Sequence, residues 1–429
     1  MVRTANKTRI IDKAWSKIFE KYNVLDEVNK HGTFIITSTQ INEYKEARLM
    51  TKFDYSESLP DLFYDNKLSI LPITRGSYII GKFNAYHRFP KSREIENIKV
   101  SFPSWIETID SNNLYSEASV INCAYATGII QDLLDDEIVK PTVSGRMSTD
   151  IFSFNINSSI DSNTYKIDVN KSQCEIDGGF ETLDKFVLLE AKNSISNDFL
   201  IRQLYYPWRL WSSKVNKIVI PIYLTYSNDI FSFYIYEFSN PNDYNSLTLL
   251  KQKNYIIDED DISLPDIKAL LDKTIILPEP NIPFPQANRI ERVIDLLNSL
   301  IGGELSIEEI TLQYAFDMRQ AQYYSRAGMY LQLIENNKGL VRLTDLGRKI
   351  MQMRSRQKYL AIAECILKHS IFNDVLRLYF QKLHPPTLDD TYHIMLKNGI
   401  NGVNSESTLR RRAQTVNQWI NWIVGLPNQ

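Results

Sequence analysis

The sequence predicts a multi-domain α/β protein, with a mixed central sheet flanked by helices and smaller α+β domains on either side. Three observations lead there. At 429 residues the chain is about three times the usual domain length. Its hydrophobic and charged fractions, 43% and 23%, suit a globular chain and exclude a disordered or collagen-like one. Strand-length apolar runs in the middle of the chain lie between stretches with helical spacing at both ends.

Composition also excludes several classes. The longest apolar stretches, such as Lys217–Tyr226 with its Pro221, fall short of the ~20 residues of a membrane span, so no membrane association is expected. The charged N-terminus lacks the apolar region of a secretory signal. Cys123, Cys174 and Cys365 are too few and scattered for a disulfide framework or a four-ligand zinc site, which points to a reducing cytoplasm. Net charge is −2, but residues 281–429 hold 18 Lys+Arg against 13 Asp+Glu, leaving −7 on the rest. That asymmetry suits metal chemistry in the acidic part and an anionic partner for the basic part; ordinary variation between domains gives the same figures.

Residues 1–89 read as an N-terminal domain. Apolar spacing predicts a helix over Ile10–Tyr22; Phe34–Ile36 reads as a strand, Ser38 or Thr39 as a cap, and Ile41–Tyr44 as a helix. Leu68–Phe83 alternates as a hairpin with Arg75-Gly76 at its turn. This order resembles a winged helix-turn-helix; a small α+β packing domain would give the same pattern. Residues 257–287 combine an acidic run, one short helical pattern and Pro278, Pro280, Pro283 and Pro285, which reads as a stiff linker. Residues 288–370 repeat the winged pattern: a helix over Ile290–Leu300 stopped by Gly302-Gly303, a Ser306/Glu309 capping box, a third helix capped by Asp317, the strand Leu340–Leu343 and a helix opened by Thr344. The third helix, with Arg319 and Gln320, would face a DNA major groove. Residues 371–429 are helical, ending in a helix capped within Asn404–Ser407 whose stripe is Leu409, Val416, Trp419, Ile420 and Ile423. Arg410, Arg411 and Arg412 crowd its first turn, where cations are unfavourable unless an anion lies nearby. They are candidate DNA contacts; pairing with Glu406 or nearby acids is the alternative.

Residues 90–256 hold the chemistry. Lys171–Asp177 reads as a strand, Gly178-Gly179 as a turn and Lys185–Asn193 as a buried strand, apolar from Phe186 to Leu189 and charged at its end. Strand alternation puts Glu190 and Lys192 on one face, where Asp177 can join them. Charges at the end of a buried strand are costly unless paired or holding a metal. Two carboxylates and an ammonium can bind a hard cation and orient a water. Leu114–Leu134 reads as a helix with Glu117 near its start, Phe199–Trp211 as a helix with Gln203, and Lys217–Tyr226 as a further strand.

Helix, three strands, helix, strand is the core order of the PD-(D/E)xK nuclease superfamily, which the chain resembles at Asp177…Glu190-Ala191-Lys192. Longer phrases, among them EARLMTKFD, LSILPITRGSYIIG, GRMSTDIFSFNI, EIDGGFE, LLEAKN, IRQLYYPWRLW, FDMRQAQYYSRAGMYL and STLRRRAQTVNQWINWI, resemble type II restriction endonucleases over nearly the whole chain. The resemblance implies sequence-specific cleavage of double-stranded DNA with Mg²⁺, for which Mn²⁺ can substitute, and a cognate DNA methyltransferase as genetic partner; a homodimer is left open. Ile176 stands where the superfamily's proline would be, which weakens that residue as a landmark.

Phosphodiester hydrolysis needs an aligned water, charge neutralisation on the phosphate and stabilisation of the leaving oxygen. Asp177, Glu190 and the Ala191 carbonyl are the expected metal ligands. Lys192 would help deprotonate the water or neutralise the phosphate. Glu117 is a candidate outer or second-metal ligand, Glu175 a further ligand or a partner for Lys192, and Gln203 an orienting group. Arg146, in Ser144-Gly145-Arg146, would reach phosphate or a base edge; a plain turn is the alternative. The five histidines form no catalytic spacing and no phosphate-cradling GxxxxGK[ST] loop occurs. Two other functions fit less well: a non-enzymatic winged-helix regulator with a degenerate core, and an anti-phage or repair nuclease without fixed specificity.

Overall fold

The computed structural model describes residues 10–90, 95–257, 262–313, 318–398, 400 and 405–428. Its centre is a seven-stranded mixed sheet in the order Asn97–Val100, Leu247–Ile257, Ile230–Phe238, Ile218–Ser227, Lys185–Lys192, Gln173–Glu181, Lys140–Ser148. The last three strands are antiparallel neighbours, whereas Lys185–Lys192 runs parallel to Ile218–Ser227. The parallel pair is joined through the helix Arg202–Ser212, which lies against Gln173–Glu181, Lys185–Lys192 and Ile218–Ser227.

Alternation along Lys185–Lys192 explains why it is central. Phe186 and Leu188 pack with Leu204, Tyr205 and Trp208 on one side. Val187, Leu189 and Ala191 pack with Ile121, Ala124, Ile130 and Leu133 on the other. Helix therefore covers both faces, which is the environment a continuous apolar run requires. Those residues on the second side come from helices Glu117–Ala126 and Ile129–Leu134, separated at Gly128 with its φ of +77°. The single helix expected over Leu114–Leu134 is thus two.

Other expectations are also corrected. Gly178-Gly179 is not a turn; the strand continues to Glu181. A Cβ on Gly179 would lie 2.8 Å from the Val143 carbonyl oxygen, and one on Gly178 would lie 3.2 Å from Ile121. The glycines permit close packing rather than reversal. Asp198–Leu200 forms a short strand paired with Tyr86–Arg88, so the helix begins at Arg202 instead of Phe199. Ser144–Arg146 is neither turn nor loop but part of strand Lys140–Ser148, irregular at Gly145. Ile151–Asn157 is a strand, paired with Thr164–Asn170 in a separate ribbon.

The N-terminal region contains helices Ile10–Lys21 and Val24–His31, strand Thr33–Thr37, helices Ser38–Asn42, Ala47–Met50 and Asp61–Asp65, then strands Ser69–Pro72 and Ser77–Gly81. The first strand pairs with the last, giving the order first–third–second. Trp15, Phe19, Phe53 and Phe63 form its aromatic core. Thr37, not Ser38 or Thr39, is the cap, closing a box with Gln40.

The same strand order recurs after helix Ile290–Ser299: Leu305–Ser306 pairs with Leu340–Leu343, which pairs with Ile334–Asn337. Helices Ile307–Gln313 and Met318–Tyr330 lie between. The expected Ser306/Glu309 box is present, while Asp317 falls outside the described residues, as does Asn404. Five more α-helices follow among the described residues, and Ile294, Ile362, Phe372 and Trp419 belong to one core. Residues 257–287 are not a bare spacer. Helix Leu264–Lys273 buries Ile267, Leu270 and Leu271 in that core, Phe284 stacks on Phe372, and the Trp419 indole donates to the Ala287 carbonyl at 2.8 Å. The three cysteines are buried and free, and no helix among the described residues is long and apolar enough to cross a membrane.

Candidate active site

At the end of the buried strand Lys185–Lys192 the side chains of Asp177, Glu190, Lys192, Glu117 and Gln203 meet. The Lys192 ammonium lies 2.6 Å from Glu190 Oε1, 2.8 Å from the Ala191 carbonyl oxygen, 3.2 Å from Glu117 Oε1 and 4.0 Å from Asp177 Oδ2. Asp177 is fixed by the Ala191 amide, which donates to Oδ2 at 2.8 Å. Gln203, from the first turn of the helix behind the strand, donates to Glu190 Oε1 at 2.5 Å. Glu117 reaches in from the start of its helix, whose N-cap is Ser116. A positive helix end there favours a carboxylate.

Electrostatics make this cluster unbalanced. Three carboxylates surround one ammonium, and Glu190 is only 7% exposed. Burial pushes the Glu190 carboxyl well above the usual range, reinforced by Asp177 and Glu117 and opposed by Lys192. Glu117 is raised too, by burial first, with Lys192 opposing. Burial works against the Lys192 charge, yet Glu190, Glu117 and Asp177 raise its pKa well above a free lysine's. Lys192 therefore keeps its proton. Tyr223, the register partner of Glu190, is fully buried and its hydroxyl lacks a hydrogen-bond partner among the described residues.

The donor set suits a hard divalent cation: all oxygens, with an excess of negative charge that one ammonium does not offset. Among the described residues no three His, Cys, Asp or Glu side chains are grouped closely enough to hold a metal unaided. The lysine stands between the carboxylates, and the Ala191 carbonyl is the additional donor on offer.

The site opens into a cleft of about 850 Å³ lined from three parts of the chain: Lys45, Arg48 and Lys52; Glu117, Lys192 and Asn193; and Ser306, Glu308 and Glu309. Sequence reasoning did not single out the first group, although Lys45, Arg48 and Lys52 recur at a spacing of three and four. Glu175 does not join the site. It sits directly across from Arg146 on the neighbouring strand and pairs with it at 3.3 Å, which also occupies Arg146.

The other expected contacts scatter and then partly reconverge. Arg319 donates to the Tyr323 hydroxyl at 2.6 Å, and Gln320 follows it on the same exposed start of helix Met318–Tyr330. Tyr323 is also close enough to influence Arg412, which is 6% exposed, has no partner for Nε among the described residues and is lowered to about 10 by burial and by Arg411. Arg319 and Arg412, distant in sequence, thus both lie near Tyr323. Arg411 is exposed, whereas Arg410 pairs with Glu406 at 3.0 Å and Asp389 at 2.8 Å and lies over Tyr392.

Residues 81–256 match the model of a domain of unknown function (DUF6997). Residues 292–428 match that of a second (DUF7226), and residues 12–80 that of a third (DUF6996). No curated protein and no solved structure matches the chain.

Proposed function

We propose that the chain is a type II restriction endonuclease that hydrolyses phosphodiester bonds of double-stranded DNA with Mg²⁺ or Mn²⁺, on a PD-(D/E)xK core between two winged-helix-like DNA-binding regions. The observation that carries the reading is the meeting of Asp177, Glu190, Lys192 and Glu117 at the end of one buried strand, in a core of helix, three antiparallel strands, helix and parallel strand. An ion-pair cluster kept only for stability would not need three carboxylates on one lysine, because the surplus charges cost desolvation energy.

In this reading Asp177, Glu190 and the Ala191 carbonyl hold the metal, and Gln203 orients Glu190. Bound there, the cation supplies charge neutralisation at the phosphate and stabilises the leaving 3′ oxygen. Lys192, protonated in its carboxylate surroundings, holds the attacking water and offsets phosphate charge rather than acting as the base. Glu117 is 42% exposed and lines the cleft, which makes it the carboxylate placed to take the water's proton. The water oxygen bonds to phosphorus as the bond to the 3′ oxygen breaks. The first–third–second strand order at both ends of the chain is the order of a winged helix, and the exposed Arg319 and Arg411 would suit a phosphate backbone. A cognate methyltransferase would protect the host sites.

Unmethylated phage DNA digested with Mg²⁺, with its ends mapped, tests the proposal. Discrete fragments with one end sequence are expected. A smear would make the protein a non-specific nuclease, and intact DNA in both Mg²⁺ and Mn²⁺ would leave a DNA-binding protein without this activity.

A further inference from the structure

The segment that leaves the catalytic strand, residues 193–198, is held by both flanking regions. On the N-terminal side, Asp198 accepts hydrogen bonds from the Ser56 amide and hydroxyl, and Asn197 donates to Glu57 at 2.6 Å. On the C-terminal side the contacts come from one helix, Ile290–Ser299. Arg292 Nη1 donates to the carbonyl of Ile195, three residues beyond Lys192. Asp295, one turn further on, accepts from the Ser227 hydroxyl at 2.6 Å. Ser227 ends the strand that runs parallel to the catalytic one, where Thr225 is the register partner of Lys192.

Both Arg292 and Asp295 are almost completely buried, at 7% and 2% exposure. An apolar contact would hold two domains together at lower desolvation cost; charged groups add direction and register. The same helix faces the other way as well. It packs against helix Met318–Tyr330, which carries Arg319. One rigid element therefore links the candidate DNA-reading helix to the backbone just past Lys192.

We propose that Arg292 and Asp295 are positioning residues, a strut through which the C-terminal region fixes the Lys192 end of the catalytic strand, so that DNA held by that region and alignment of Lys192 are coupled. The inference rests on the nuclease reading. Neither residue touches the reacting atoms. Arg292 sets where the Ile195 carbonyl lies, and with it the path of the chain from Lys192; Asp295 ties the neighbouring strand end to the same helix.

The test uses the full chain and compares Arg292→Ala, Arg292→Lys and Asp295→Asn with the unmodified protein. Three quantities are measured: duplex affinity in Ca²⁺, kcat and KM for Mg²⁺-dependent cleavage, and amide exchange of residues 193–197. For Arg292→Ala the strut requires kcat to fall about 10- to 100-fold, because misplacement near 1 Å carries a loss of that size. KM and duplex affinity should stay within about twofold, and exchange in 193–197 should quicken. Arg292→Lys should recover part of the loss, whereas Asp295→Asn, which still accepts from the Ser227 hydroxyl, should keep kcat within about twofold without lowering the melting temperature. Unchanged kcat for Arg292→Ala in an active enzyme would overturn the strut while leaving the nuclease reading standing, as would losses that follow melting temperature alone. An unmodified protein that cuts no DNA would overturn both.

Discussion

Asp295→Asn separates stability from function in a way that can be worked out in advance. Burial pushes the Asp295 carboxyl from its ordinary 3.8 up to about 6, against the Ser227 hydrogen bond and the charge of Arg292. A group whose folded pKa is raised binds its proton more tightly in the native state. Its contribution to stability is fully present below pH 3.8 and is lost as pH rises through about 6. Two pKa units at 1.36 kcal/mol each put the cost of the ionised side chain near 3 kcal/mol above pH 6. Asparagine keeps the shape, cannot ionise and can still accept from Ser227, but its amide is an imperfect copy of the protonated acid, which takes back about 1 kcal/mol. Asp295→Asn should therefore be about 1–3 kcal/mol more stable than the unmodified chain at pH 8, with the advantage shrinking to nothing near pH 4. Urea unfolding followed by tryptophan fluorescence at pH 4, 6 and 8 measures this. A variant less stable at pH 8, or an advantage that grows on acidification, would refute the assignment of Asp295 as a costly buried carboxylate.

Three further outcomes are expected. Gly179→Ala should destabilise the core by about 1–3 kcal/mol, since a Cβ there meets the Val143 carbonyl at 2.8 Å; thermal melting decides, and an unchanged melting temperature would mean the strands can part. Lys358→Met should cost about 3–5 kcal/mol because Asp229, held below the usual carboxylate range by Lys358 despite burial, loses its buried partner; a pH 7 urea titration that shows less than 1 kcal/mol would contradict this. Arg411→Ala should weaken duplex binding and reduce its salt slope by about one, whereas Arg410→Ala, already paired with Glu406 and Asp389, should leave both unchanged in a fluorescence-anisotropy titration; equal effects would remove the distinction.

The parts of this site legible in the sequence are those set by local rules. Four apolar residues before Glu190 mark a strand covered on both faces, and alternation alone puts Glu190 and Lys192 together. Glu117 and Gln203 follow from helices that flank such a strand. What sequence reasoning misses depends on partners far along the chain. Gly178-Gly179 reads as a turn because the close approach of Val143 and Ile121 is invisible locally. Glu175 shares a face with Asp177 yet is drawn to Arg146 by strand register. Prolines near 280 signal an extended segment but not the aromatic surface it packs on. Arg292 and Asp295 sit in an amphipathic helix whose pattern shows them as surface charges, although the face they occupy is covered by the central-sheet region.

The proposed metal-dependent hydrolytic site of Asp177, Glu190 and Lys192 is put to its sharpest test by supercoiled plasmid carrying unmethylated DNA. Unmodified protein and Lys192→Ala are incubated with the plasmid in Mg²⁺ and in EDTA, with duplex affinity measured in parallel. Linear product is expected from the unmodified protein in Mg²⁺ alone, and none from Lys192→Ala although it still binds the duplex. Cleavage by Lys192→Ala within tenfold of the unmodified rate, or cleavage that persists in EDTA, would contradict the proposed site.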